Sequence, residues 1–248
     1  MSDAAGAQTA QGFPMFYKKP EVLNAQAHAN LGLKPGRSLA FASETHVVPV
    51  NVLEMPHAAR HNPLVFTASD KPSPVIVVGL RAGQNVFVDK EGSWAADSYI
   101  PAYVRRYPFV FLRNEDQNRF TLCIDRASDQ IGEGTDNPFF ADGERTEMTA
   151  KALEFCTAYQ REHLRTQAVC DLIGELELFK LQNGTFTLES GEKLALRDFN
   201  IIDEQKFNAL DDEAFLKLRQ GGALPTIYSH LISMQSWREL VRRASAAA

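Results

Sequence analysis

The spacing of apolar and polar positions changes period several times along the chain, and each change predicts an element. Thr45–Val50 alternates loosely and ends in β-branched residues, which predicts a strand. Val52–Arg60 has helical character, limited to a turn or two by Pro56. Leu64–Ala68 and Val75–Leu80 are short apolar runs on either side of the turn-rich Ser69–Pro74, and Asn85–Asp89 is a further short strand ending at Glu91-Gly92. From Asp97 or Ser98 a short helix is expected, placing Tyr99 and Tyr103 on one face with Arg106 three residues on, before a strand released by Pro108. Ser128–Glu144 is rich in Gly and Asp and predicts a loop. Thr146 then caps a long helix through Leu178, with Leu153, Leu164, Leu172 and Leu176 near helical spacing. Phe179–Leu181, Thr185–Leu188 and Leu194–Ile202 predict strands, with Asn183-Gly184 as a hairpin turn. Asp203 and Asp211 are good N-caps, Gly221-Gly222 is a helix stop, and Leu224–Arg243 is helical.

The sum is an α+β fold with a mixed or antiparallel sheet and a helical C-terminal portion. Residues 1–12 are small and polar, which predicts a disordered leader. Residues 13–248 are expected to form one domain, strand-rich over 39–126 and helix-rich over 145–243. Phe13–Tyr17 and Pro20–Asn24 suggest an arm lying on the body through its aromatics. An internal likeness at an offset of 45 aligns Pro56–Phe66 with Pro101–Phe111, sharing Pro, Arg, Pro, an apolar residue, Val and Phe in order. It suggests a duplicated helix–hairpin unit in a pseudo-twofold sheet.

Composition narrows the functional classes. The 248 residues carry 26 Lys and Arg against 31 Asp and Glu, a net charge of −5, so the basic footprint of a nucleic-acid binder is missing. No apolar run reaches the ~18 residues of a membrane span. The three cysteines, Cys123, Cys156 and Cys170, are widely spaced and predict buried free thiols rather than a disulfide framework or zinc cage. They fit a reducing, cytoplasmic compartment, and the N-terminus lacks the pattern of a signal peptide. Signal-independent export to the surface stays open, as does homo-oligomerisation.

Candidate chemistry is sparse. Glu54, His57 and His61 could share one helix face as metal ligands, although Pro56 disturbs that helix. Gly132 and Gly134 lack the Lys-Ser/Thr successor of a phosphate loop, and Asp125, Asp136 and Asp142 do not follow the calcium-loop pattern. His230 lies in an apolar helix and suggests a hydrogen-bonded structural histidine rather than a base. The densest feature is Asp89–Phe111, which holds Trp94, Tyr99, Tyr103, Tyr107, Phe109 and Phe111, six of the chain's 24 aromatic residues. Arg105 and Arg106 lie among these rings, a combination suited to carboxylate, phosphate or aromatic ligands. Trp94, Tyr99, Tyr103, Arg105, Arg106 and Tyr107 are therefore the expected ligand-binding residues, set against a structural role for the arginines.

At these residues the chain resembles the SapC-like family of bacterial proteins, named for a surface-layer component. The likeness is carried by Val48-Pro49-Val50 and Glu54, Pro63–Phe66, Gly92 and Trp94, and Tyr99–Phe109. It continues in Phe199, Asp203-Glu204, Leu210, Gly222–Leu224 and Tyr228–Ser233. The resemblance supplies no established catalytic residue to carry over, and no cofactor is expected. It implies a surface-layer or outer-membrane-uptake association for a non-enzymatic binding or interaction protein, whose partner is a protein or a small-molecule ligand. A metal- or ligand-dependent accessory enzyme is the alternative.

Overall fold

Strand-forming apolar runs closed by Gly and Pro, and helices opened by Asp, Asn or Thr, organise the chain. The computed structural model describes residues 12–114 and 119–247, so all of the expected leader except Gly12 lies outside the described residues. In chain order the elements are β1 (Pro20–Val22), α1 (Ala25–His28), β2 (Leu31–Leu33), β3 (Val47–Pro49), α2 (Met55–Ala58), β4 (Leu64–Thr67), β5 (Pro74–Val77) and α3 (Ala102–Arg105). There follow β6 (Phe109–Asn114), β7 (Arg119–Asp125), β8 (Ile131–Glu133), β9 (Asn137–Pro138), β10 (Phe140–Ala141), β11 (Glu144–Arg145) and α4 (Glu147–Glu175). The chain ends with β12 (Phe179–Thr187), β13 (Lys193–Ile202), α5 (Glu204–Asn208), α6 (Asp212–Gln220), α7 (Leu224–Ser233) and α8 (Trp237–Ala246). The fold is α+β, and every strand pair among the described residues is antiparallel.

The chain forms two compact units. Among the described residues, 40–103 and 162–247 make the first, and 12–39 with 104–161 belong to the second. Each unit thus takes chain from both the strand-rich and the helix-rich stretches.

The first unit is built on a five-stranded sheet in the order β12-β13-β4-β5-β3. Its centre, β4 and β5, is buried at every position, which explains why these strands are continuous apolar runs rather than alternating ones. His230 of α7 ties this sheet together. Its Nδ1 donates to the Leu64 carbonyl at 2.8 Å and its Nε2 accepts from the Ile202 amide at 3.1 Å, so the ring is neutral and its two nitrogens hold adjacent strands. Burial, at 1% exposure, pulls its pKa down to about 4. Below pH 6.5 the unfolded chain binds a proton that the native ring refuses. Stability should therefore fall as pH drops from 6.5 to about 4, by about 3 kcal/mol at ~1.36 kcal/mol per pH unit. Urea unfolding at pH 7 and pH 4.5 checks this. His230→Gln should be less stable at pH 7 yet lose less between the two conditions, and an equal loss would reject the assignment.

The Asn183-Gly184 pair lies inside the continuous strand β12 rather than in a hairpin turn, and the extra residue of the bulge beside it belongs to β13, where Asp198 adopts φ +56°. Pairing slips between Gln182 and Gly184, and Asn183 Oδ1 accepts from the Asp198 amide at 2.9 Å. The reversal comes later, where the Leu188 amide donates to the Glu192 carbonyl and Gly191 adopts φ +85°. Asp203 and Asp211 cap α5 and α6 as their sequence predicts, and Gly221 and Gly222 close α6.

The second unit holds two three-stranded sheets, β1-β7-β6 and β8-β2-β9, and the pair β10-β11. The expected arm is partly a strand, since Pro20–Val22 pairs with Cys123–Asp125. The Ser128–Glu144 stretch is more ordered than a loop. Gly32 lets β2 approach β9 so closely that a Cβ there would run into the Asn137 carbonyl. Phe139 and Phe140 are buried in a core with Leu31, Phe109, Leu122, Ile124, Ile131 and Cys156.

Two further expectations change. Asn85–Asp89 forms no strand, only a bridge from Val88 to Trp94. Both stretches of the internal likeness fold as a short helix and an antiparallel hairpin, but the hairpins enter different sheets. Phe66 pairs with Pro74, whereas Phe111 pairs with Leu122 instead of the residue 45 beyond Pro74, so one pseudo-twofold sheet does not form.

Candidate functional site

The expected aromatic–arginine patch divides between the two units: Trp94, Tyr99 and Tyr103 fall in the first, Arg105, Arg106 and Tyr107 in the second. Tyr99 lies outside a helix. Pro101 disfavours helical geometry at Ile100, so α3 begins only at Ala102.

In the first unit Tyr99 serves a buried carboxylate. Glu54 is 6% exposed, and its Oε1 accepts from the Tyr99 hydroxyl at 2.9 Å and the Ala102 amide at 2.6 Å. Its Oε2 accepts from the Asn51 amide at 3.0 Å, half of a capping box at the start of the Val52–Glu54 turn. Exposed His57 stacks on Tyr99 with ring centroids 5.8 Å apart. Trp94 is buried and stacks on Phe87, which also carries the Arg243 guanidinium. Glu54, His57 and His61 are not gathered as ligands: among the described residues no group of three or more His, Cys, Asp or Glu side chains could hold a metal ion. Asp125 likewise spends both oxygens on protein donors, while Asp136 and Asp142 are exposed.

The second unit has a cavity of about 460 Å³ beside Arg105, Arg106 and Tyr107. Three elements meet there. The Pro35-Gly36 turn after β2, with Gly36 at φ +80°, brings Lys34 and Arg37 to the rim. The end of α3 supplies Arg105 and Arg106. One face of α4, at helical spacing, supplies Met148, Lys151, Ala152, Phe155 and Cys156. Five cationic side chains therefore line one cavity whose lining contains no carboxylate.

Ring contacts hold these cations in place. The Arg105 guanidinium lies 5.3 Å from the Phe155 centroid, and that of Arg106 lies 4.4 Å from Tyr159 and 5.6 Å from Tyr17. Arg37 donates to the carbonyls of Val104, Arg105 and Tyr107, fastening the end of α3. Although Arg37 has an exposed surface, desolvation pulls its pKa below the usual arginine value, and the charge of Arg105 adds to this. Like charges are thus crowded together, an arrangement that a bound anion would relieve. Lys34 Nζ donates to the Asp129 carbonyl, and Lys151 pairs with exposed Glu147 outside the cavity at 2.6 Å.

Two further titratable groups of the lining are shifted by burial. Burial pushes the Cys156 thiol up to about 11, partly offset by Arg106, so it is protonated and a poor nucleophile at neutral pH. The pKa of the Tyr107 phenol is raised by burial and by Asp125, whose Oδ2 accepts its hydrogen bond at 3.0 Å. Sequence reasoning located Arg105, Arg106 and Tyr107 but missed Lys34, Arg37, Lys151 and Phe155. The sequence marks Lys34 and Arg37 only as a basic turn and Phe155 only by the 148, 152, 155, 156, 159 spacing on α4, with nothing that ties either to a cavity.

Comparison with curated proteins and with solved structures finds no match. A family model described as SapC matches residues 23–240. With most of its length covered by that match, from the turn before α1 to the last helix, the chain belongs to the SapC family.

Proposed function

We propose that the protein is a non-enzymatic binding protein whose second unit takes a small anionic ligand in the cavity rimmed by Lys34, Arg37, Arg105, Arg106 and Lys151. The observation that carries this is the gathering of five cations around one concave, carboxylate-free lining. Its size lies within the ~300–1,000 Å³ typical of small-molecule sites. The surface-layer or outer-membrane-uptake setting draws its support from family membership, and an acidic solute suits an uptake-associated protein. The accessory-enzyme alternative requires Glu54 as a ligand or base, and its oxygens are already engaged by three donors.

Thermal unfolding of the full chain with a panel of acids and their neutral amides tests the proposal. The acids should raise the unfolding temperature and the amides should not. The shift should shrink as salt rises from 20 to about 300 mM, because the Debye length falls below ~10 Å. Equal shifts with acids and amides would end the anion reading.

A further inference from the structure

The cavity lining is part cationic and part apolar. Leu33, Met148 and Ala152 of its lining pack against the hydrophobic core that contains Phe109 and Cys156, both of which also line it. Phe155 adds a ring beneath Arg105. The cations therefore share the cavity with apolar side chains that pack on the second unit's core. A bare inorganic anion would leave that apolar part of the lining in water. An apolar body would cover it, and the hydrophobic gain scales with the area covered.

Resting on the anion-binding reading, we infer that the ligand is an amphiphilic oxyanion: one carboxylate or phosphate head on an unbranched apolar body. The head sits among Lys34, Arg37, Lys151 and Arg105, and the body lies along Leu33, Met148, Ala152 and Phe155. Such a molecule extends the hydrophobic core, and the rim supplies both charge and orientation.

Calorimetric titration of the full chain separates the parts of this inference. The probes are acetate, hexanoate, octanoate, decanoate, inorganic phosphate, decyl phosphate and decyltrimethylammonium, all below their micelle concentrations. From hexanoate upward, affinity should tighten about fourfold per added methylene, the fold-change equivalent to ~0.8 kcal/mol per buried CH₂, until the cavity is full. Decyltrimethylammonium should bind far more weakly than decanoate. Lys151→Gln, an exposed position at which folding is not at risk, should weaken every anion about tenfold. Ala152→Trp should remove the chain-length dependence.

Equal affinity for acetate and decanoate would overturn the amphiphile inference and leave the anion site standing. Failure of every anion would overturn both. Decanoate against decyl phosphate distinguishes the two heads. Adsorption to phosphatidylglycerol vesicles without affinity for either soluble ligand would overturn the cavity as the binding site. If Ala152→Trp does not fold, the chain-length series and Lys151→Gln decide the matter alone.

Discussion

Asp125→Ala is expected to destabilise the second unit by about 3–5 kcal/mol, because it leaves several donors without their acceptor at ~1–3 kcal/mol for each one buried. Asp125 is 0% exposed and its carboxylate accepts four hydrogen bonds. Oδ1 takes the Lys19 amide at 2.8 Å and the Ala127 amide at 3.3 Å; Oδ2 takes the Lys18 amide at 3.1 Å and the Tyr107 hydroxyl at 3.0 Å. These bonds fasten the entry to β1, where fully buried Tyr17 donates to the Phe109 carbonyl at 2.5 Å and its ring sits 5.3 Å from that of Tyr107. Alanine leaves the three amides and the phenol without their acceptor. Asparagine keeps one oxygen but turns its amide group toward a donor, so Asp125→Asn should cost less, about 1–3 kcal/mol. Both tryptophans, Trp94 and Trp237, lie in the first unit, so their fluorescence does not report this loss. Amide hydrogen exchange in β1, β6 and β7 does. Unchanged protection there would show that the carboxylate is dispensable.

Glu54→Ala should lower the stability of the first unit by a similar ~3–5 kcal/mol, from three donors left without their acceptor at ~1–3 kcal/mol for each one buried. The carboxylate bridges two chain segments, accepting from Asn51 on one side and from Tyr99 and Ala102 on the other. Its loss leaves the Ala102 amide buried without an acceptor and releases the Tyr99 hydroxyl. Nearby, the Thr166 hydroxyl accepts from the Val52 amide at 3.0 Å, so the turn keeps one tie to α4 and the unit should still fold at low temperature. Trp94 fluorescence during urea unfolding gives the measurement, and a midpoint equal to wild type would refute the clasp. Tyr99→Phe removes one of the three donors and should cost about 1 kcal/mol, so the pair separates the carboxylate's contribution from that of the phenol.

Much of the fold was legible because its signals are local. The central strands β4 and β5, the Thr146 start of α4, and the caps Asp203 and Asp211 all follow from residues within a few positions of the element they define. Distant partners explain the failures. Asn183-Gly184 has the chemistry of a hairpin turn, but continuous pairing with β13 outweighs it and leaves a bulge. β2, β8 and β9 span only two or three residues each, too few for a period to emerge, and they exist because they pair with one another. The same limit applies to the site. Arg105 and Arg106 stood out by their aromatic neighbours in sequence, whereas Lys34, Arg37 and Lys151 reach the cavity only through tertiary packing.

The thiols have a consequence for redox chemistry. Cys123, Cys156 and Cys170 are each 2–3% exposed, and burial pushes their pKa values to about 11, 11 and 12. Alkylating reagents can reach them only when the surrounding structure opens, so labelling becomes a clock for opening. Cys170 keeps time for the first unit and Cys123 and Cys156 for the second, each readable by its own peptide mass. The odd cysteine count, which by itself suggests a reducing compartment, then loses that meaning. A sulfur that oxidants cannot reach is compatible with either environment.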